Sequence, residues 1–242
     1  MTNPIQKNSV SKQVVDYILD CIDRGELKCG DRLPSEREFA ESLGISRVPL
    51  REAISALSVI GIVEKRHGDG NFVAPFSMDV LGRILRTGTM LDTTLSDDLF
   101  ETRTMIEGVC ARLAARNAAA EDIQALQSAI ALMEEAVPAY VRGEKNLSDM
   151  LALDDLFHLQ VAAASHNRFY IQFVNIMHAA GTSLGLYETA YGKHPEKYYD
   201  SVKFHKEITQ AIADGDETLA QETMSRHIDS IRIDTSNENN DK

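Results

Sequence analysis

The sequence predicts a mainly α protein: an N-terminal winged helix-turn-helix followed by an all-α bundle of six to seven helices. Three observations carry that expectation. Apolar residues recur at helical spacing along most of the 242 residues. The clearest hairpin signal, Gly68-Asp69-Gly70, comes just after the third helical segment. Charge also divides the chain, with 10 Lys/Arg against 11 Asp/Glu in residues 1–75 and 15 against 26 in residues 76–242. Nearly all of the net charge of -12 therefore belongs to the C-terminal part. The N-terminal part, close to neutral, can present a local basic face to nucleic acid.

Bulk properties narrow the class further. With 43% hydrophobic and 26% charged residues the chain can bury the cores of two modest domains. No apolar run reaches the length of a membrane span, and MTNPIQKNSVSKQ lacks the apolar core of a signal peptide. Cys21, Cys29 and Cys110 form no CxxC pair and leave an odd count. The expectation is a cytoplasmic protein without disulfides and without a membrane partner.

Val14, Val15, Ile18, Leu19 and Ile22 mark a first helix over about residues 10–24, with Gly25 beyond it. "LPSEREFAESLG" reads as a second, in which Ser35 and Glu38 form a capping box and Gly44 supplies the stop. The third is "ISRVPLREAISALSVIG". Ser46 takes the N-cap, and Pro49 falls in the first turn, where its missing N–H leaves no helix bond unmade. Leu50, Ile54, Leu57 and Ile60 form the buried stripe, leaving Arg47 and Arg51 to point outward. "IVEKRHGDGNFVAP" then gives two short strands, the wing.

In such a module the third helix enters the major groove N-terminus first. Arg47 and Arg51 then reach guanine edges or phosphates, and Ser46 is placed to donate to a phosphate. Lys65, Arg66 and His67, beside Gly68 and Gly70, suit approach to the backbone or the minor groove. An isolated arginine pair would more simply be a solvated helix face. Cap, proline, arginines and hairpin together point to double-stranded DNA.

Residues 76–95 read as a linker with room for a short helix. Six helices follow, over about 96–117, 121–142, 147–165, 168–190, 196–213 and 216–233. The tail over 234–242 is polar and expected to be disordered. "LALDDLFHLQ" sets Asp154 and His158 four apart, on one helix face. His205 and His227 stand at nearly equal heights on either side of Asp214-Gly215-Asp216, given a rise of about 1.5 Å per residue. One carboxylate and three imidazoles suit a divalent transition metal such as zinc or nickel, with coordination positions left open. The spacing alone is also met by ordinary core or surface histidines. His166 and His194 lie in loop contexts, His178 has no matching partner, and Asp155 points to another face than Asp154.

"LPSEREFAESLGISRVPLREAISALSVIGIVEKRHGDGNFV" resembles the DNA-binding domain of GntR-family bacterial transcription regulators, over nearly all of residues 10–75. The resemblance implies DNA contacts from Arg37, Arg47, Arg51, His67 and Gly68. Val48 departs from the hydroxyl residue usual at its position, which removes one hydrogen bond. "LFETRTMIEGVCARLAAR", "LDDLFHLQVAAASHN" and "FHKEITQAIADGDETLAQETMSRHI" resemble the FCD ligand-binding domain of the FadR subfamily, over about residues 96–231. That resemblance implies that Asp154, His158, His205 and His227 hold a metal and that Arg103 faces an effector cavity. Metal and guanidinium together favour a small carboxylate. For Arg103 a salt bridge to Glu107, four residues on, is the alternative.

The implied function is a metabolite-responsive transcription regulator, most often a repressor. It binds a two-fold operator as a homodimer and responds to a small organic acid that alters the spacing of the two heads. Two other readings fit the residues: a metal-dependent hydrolase or lyase carrying a DNA-binding domain, and a DNA binder whose metal is purely structural.

Overall fold

The computed structural model describes residues 9–75, 77–91 and 96–239, and the chain divides into two units at Val80/Leu81. Within the first unit, α1 (Val10–Asp23) begins where the Ser9 hydroxyl accepts the Lys12 amide, and it buries Val14, Ile18 and Cys21. The capping box of α2 (Glu36–Leu43) is complete. Ser35 Oγ accepts the Glu38 amide and the Glu38 carboxylate accepts the Ser35 amide. Gly44 ends α2 at φ 65°, a left-handed conformation in which a Cβ would be strained.

α3 (Arg47–Val59) buries Leu50, Ala53, Ile54 and Leu57 against α1 and α2. Ile60, expected to complete the stripe, is half exposed, because the helix ends at Val59 and the chain turns there. The wing is an antiparallel pair, β1 (Val63–Arg66) and β2 (Gly70–Val73), with Val63 opposite Val73 and Arg66 opposite Gly70. Its apolar ends, Val63, Phe72 and Val73, are buried. Arg32 adds a bridge to Phe72, an attachment of the wing absent from the sequence reading.

α4 (Asp79–Leu91) occupies the stretch read as linker and runs for 13 residues across the boundary between the units. The second unit continues with α5 (Ser96–Asn117), α6 (Ala120–Val141), α7 (Leu147–Ala164), α8 (Arg168–Ser183), α9 (Tyr198–Ala213) and α10 (Glu217–Asn239). α5 lies along α10, closely enough that a Cβ on Gly108 would stand 3.0 Å from Ser225 Oγ. α7 packs between α5, α6 and α8, and α9 between α6 and α10. A continuous core of side chains such as Phe100, Leu126, Met133, Met150, Phe157, Tyr198 and Ile228 fills the bundle.

Two boundaries differ from the sequence reading. The helix expected over 168–190 stops at Ser183, because Gly185 takes φ 66°. A π-helical turn (Glu188–Gly192) and a short 3-10 turn (Pro195–Lys197) then lead into α9. The final helix runs to Asn239 rather than giving way to a disordered tail at 234; residues 240–242 lie outside the described residues. Among the described residues no helix is long and apolar enough to cross a membrane.

Candidate metal centre and nucleic-acid interface

Asp154 and His158, one turn apart on α7, meet His205 from α9 and His227 from α10 in the middle of the bundle. All four are buried, and one ligand atom from each lies within 4.8 Å of the others. The three imidazoles converge through Nε2: 3.1 Å separates His205 from His227, and 3.3 Å separates His227 from His158. Asp154 closes the set, its oxygens 3.7 Å from His158 Nε2 and 3.6 Å from His205 Nε2. Helical periodicity makes this possible, since Phe157 and Val161 anchor the same buried face of α7.

The arrangement fits a cation. Two Nε2 atoms facing each other share one proton at most, so three converging lone pairs cannot all be satisfied by hydrogen bonds among themselves. Asp154 Oδ1 has no hydrogen-bond partner, nor do the outer Nδ1 atoms of His205 and His227. Burial, then the neighbouring His227 and His158, holds the His205 imidazole well below its usual range. Burial and His158 do the same to His227. Neutral imidazoles are the form that ligates metal. Burial pushes the Asp154 carboxyl up, which a divalent ion would reverse.

A second layer of polar residues surrounds the four; of it the sequence reading joined only Arg103 and Glu107. His158 Nδ1 lies 2.5 Å from Glu107 Oε2, so a proton on Nδ1 leaves the Nε2 lone pair aimed at the cluster. Glu107 Oε1 also accepts from Arg103 Nε at 2.7 Å. Burial alone would raise the Glu107 carboxyl; Arg103, His158 and His178 outweigh it and hold the group well below the usual range. Arg103 is fully buried, and besides Glu107 it donates to Tyr187 Oη at 2.5 Å and to His178 Nε2 at 2.9 Å. The Glu107 salt bridge is therefore present, inside the core.

His178, read from sequence as partnerless, is a hub of this layer. Its Nε2 accepts from Arg103, so its proton sits on Nδ1, which donates to Asp155 Oδ1 at 2.5 Å. Asp155 does leave the face of Asp154, but it turns inward to His178 and is not a bystander. The sequence pairs Arg103 with Glu107 at i, i+4; the signal for a wider layer is that these two opposite charges lie on the inner face of α5 and need further partners once buried. A cleft of about 390 Å³ opens across α9 and α10 between Tyr191, Ser201, Phe204 and Arg226, and none of the four cluster residues lines it. His166 and His194 are exposed and lie near Asp122 and Glu196.

On the first unit, Arg47 and Arg51 stand one turn apart at the exposed start of α3, 62% and 67% exposed. Ser46 holds the N-cap position without a side-chain cap bond, and Val48 is exposed beside it. Arg37, on α2, pairs loosely with Glu41. His67 and Gly68 form the turn of the wing, Gly68 at φ 76°. Between wing and α2 lies a cleft of about 470 Å³ bordered by Arg32, Ser35, Lys65, His67 and Gly68. Arg66 and Arg32 flank the Phe72 ring at 4.3 and 6.0 Å, which holds two cations beside this cleft.

Comparison with known proteins accords with this division. Residues 10–73 match the family of bacterial regulatory proteins of the gntR type, and residues 98–230 match the FCD domain. The transcriptional regulator LutR of Bacillus subtilis is 28% identical over 215 residues, covering 87% of this chain and 94% of its own. The regulator Mce2R of Mycobacterium tuberculosis is 30% identical over 222 residues, covering 90% and 88%. A solved structure of a Streptococcus agalactiae GntR protein superposes with TM-score 0.67 at 31% identity, covering 92% of this chain and 99% of that one. Family and relatives are regulators, which sets aside the hydrolase or lyase reading. With a winged helix-turn-helix ahead of an FCD bundle, this chain belongs to the GntR family of transcription regulators, in its FadR-type branch.

Proposed function

We propose that this regulator is a homodimeric, cytoplasmic repressor that senses a small carboxylate at a metal held by Asp154, His158, His205 and His227. The observation that carries the reading is the convergence of three buried imidazole nitrogens on one buried carboxylate, whose unsatisfied Oδ1 a divalent cation would satisfy. Zinc or nickel suits this nitrogen-rich set. The metal would supply a Lewis-acidic anchor for the effector's carboxylate.

The chain's own residues do the rest. Glu107 keeps the His158 proton on the outer nitrogen, and Arg103 places a permanent cation in the layer behind His158. Arg103 is already bonded to Glu107, His178 and Tyr187, so an effector reaching it must displace one of these partners. Tyr187, from the irregular segment before α9, accepts with a neutral hydroxyl where Glu107 accepts with a charge, so it is cheaper to displace than Glu107. Arg47, Arg51, Arg37, Ser46, His67 and Gly68 meet the operator. The effector acts by binding one of two dimer arrangements more tightly, since equal affinity for both shifts nothing.

The test measures metal content, melting temperature and operator binding with and without L-lactate, succinate and gluconate, before and after chelation. A ligand at a hundredfold its dissociation constant stabilises by about 2.7 kcal/mol. A shift that needs metal and accompanies release of DNA supports the sensor reading. Effector-independent DNA binding by metal-filled protein would favour a purely structural metal.

A further inference from the structure

The DNA-facing arginines have carboxylates close by. Arg37 lies 3.2 Å from Glu41 and Arg66 lies 3.0 Å from Glu64. Arg47 Nη2 and Arg51 Nε share a single oxygen, Glu36 Oε2, at 3.8 and 3.6 Å. Glu36 differs from the other two acids. It serves two cations at once, across from one helix to the next, and it is 30% exposed where Glu41 keeps 67% and Glu64 keeps 47%. As the first residue of α2 it directly follows Ser35, the N-cap of the capping box, and it lines the cleft between α2 and the wing. At these distances the contact is Coulombic rather than a hydrogen bond, so it orients the arginines yet releases them readily.

We propose that Glu36 is a specificity-setting residue of the DNA interface, acting through Arg47 and Arg51. It holds the two guanidinium groups in one paired arrangement at the mouth of the recognition surface. It also keeps a negative charge where any duplex must dock. Binding through phosphates alone has to approach that charge, and the phosphate term dominates non-specific affinity. A site offering guanine edges to Arg47 and Arg51 replaces the loose Glu36 contact with bidentate bonds and offsets the repulsion. Glu36 thus lowers affinity for all DNA and lowers it most for the wrong DNA.

The test uses the full-length protein, wild type against Glu36→Gln and Glu36→Asp. The probes are a random-sequence duplex pool and a duplex enriched from that pool by selection on the wild type. Removing one charge that a docking duplex must approach should tighten E36Q binding to the random pool by roughly three- to tenfold at low salt. The enriched duplex should gain less, so the ratio of the two affinities falls. The gain should shrink as salt rises, and E36D, which keeps the charge, should hold the wild-type ratio.

Equal random-pool affinity for E36Q and wild type would overturn the proposal, as would an equal gain on both duplexes. A gain in E36D matching that in E36Q would place the effect in side-chain length instead of charge and overturn it too. Melting temperatures of both variants are measured alongside. If E36Q is unfolded in the head, the comparison of E36D with wild type decides alone: loss of its selectivity with the charge intact refutes the charge argument.

Discussion

Replacing Glu107 by glutamine changes one oxygen to an NH2 group at the point where three buried side chains meet. The native carboxylate lies 2.7 Å from Arg103 Nε, 2.5 Å from His158 Nδ1 and 3.2 Å from His178 Nε2. If the amide oxygen keeps the Arg103 bond, the amide nitrogen faces His158 Nδ1. Two N–H groups cannot face each other, so the His158 proton moves to Nε2, into the metal cluster. Arg103 also loses its counter-charge while staying fully buried. Breaking a buried pair in this way costs about 3–5 kcal/mol. At about 2–4 °C per kcal/mol for a domain of this size, the bundle should melt about 6–20 °C lower. Loss of the imidazole's outer partner should weaken metal binding by about 10- to 100-fold. Calorimetry reads the first effect and competition with a chromophoric chelator reads the second. A variant with wild-type metal affinity would refute the tautomer argument, and an unchanged melting temperature would refute the charge-pair argument.

Other outcomes follow from the same geometry. In Gly181→Ala the new Cβ would sit 2.8 Å from Tyr187 Oη, with ring atoms of the buried Tyr187 at 3.2 Å, so the variant should lose about 1–3 kcal/mol in denaturant melts and loosen Tyr187 from Arg103. Metal-free protein should lose stability as pH falls below about 6.5, because His205 and His227 stay neutral when folded and take up protons when unfolded. The slope from the pair reaches at most about 2.7 kcal/mol per pH unit, and a flat profile from pH 7 to 5 would contradict it. Arg51→Ala should weaken operator binding, and if the lost contact is to phosphate the slope of log affinity against log salt should flatten by about 0.9; unchanged affinity in gel-shift titrations would remove Arg51 from the interface. His205→Ala should lower metal content while the head stays folded, and full occupancy by elemental analysis would remove His205 from the centre.

Regular patterning made much of this legible from sequence. The Ser35/Glu38 box, Gly44, Pro49 in the first turn of α3 and the Gly68-Asp69-Gly70 turn each have a local physical cause, and the head follows them closely. The cluster residues were legible because Asp154 and His158 share a helix face and Gly215 sets the hairpin that aligns His205 with His227. What escaped depends on distant partners. His178 had no sequence neighbour to mark it, and only the packing of α8 on α5 and α7 joins it to Arg103 and Asp155. The break at Gly185 was hidden by apolar residues on both sides of it, and the Glu36 bridge joins two helices that helical spacing treats separately.

The four cluster residues and Glu107 come from α5, α7, α9 and α10; the α9–α10 hairpin by itself can bring His205 to His227, but the full set meets only when all four helices are packed. The complete set is thus assembled late, unlike that of a short finger whose ligands are neighbours in sequence. If a metal binds only the assembled four-residue set, its stabilisation is absent from the folding transition state and shows up as slower unfolding. On the proposed function, metal should therefore lengthen the life of the folded protein while leaving its rate of formation nearly unchanged, which unfolding and refolding rates with and without metal would check.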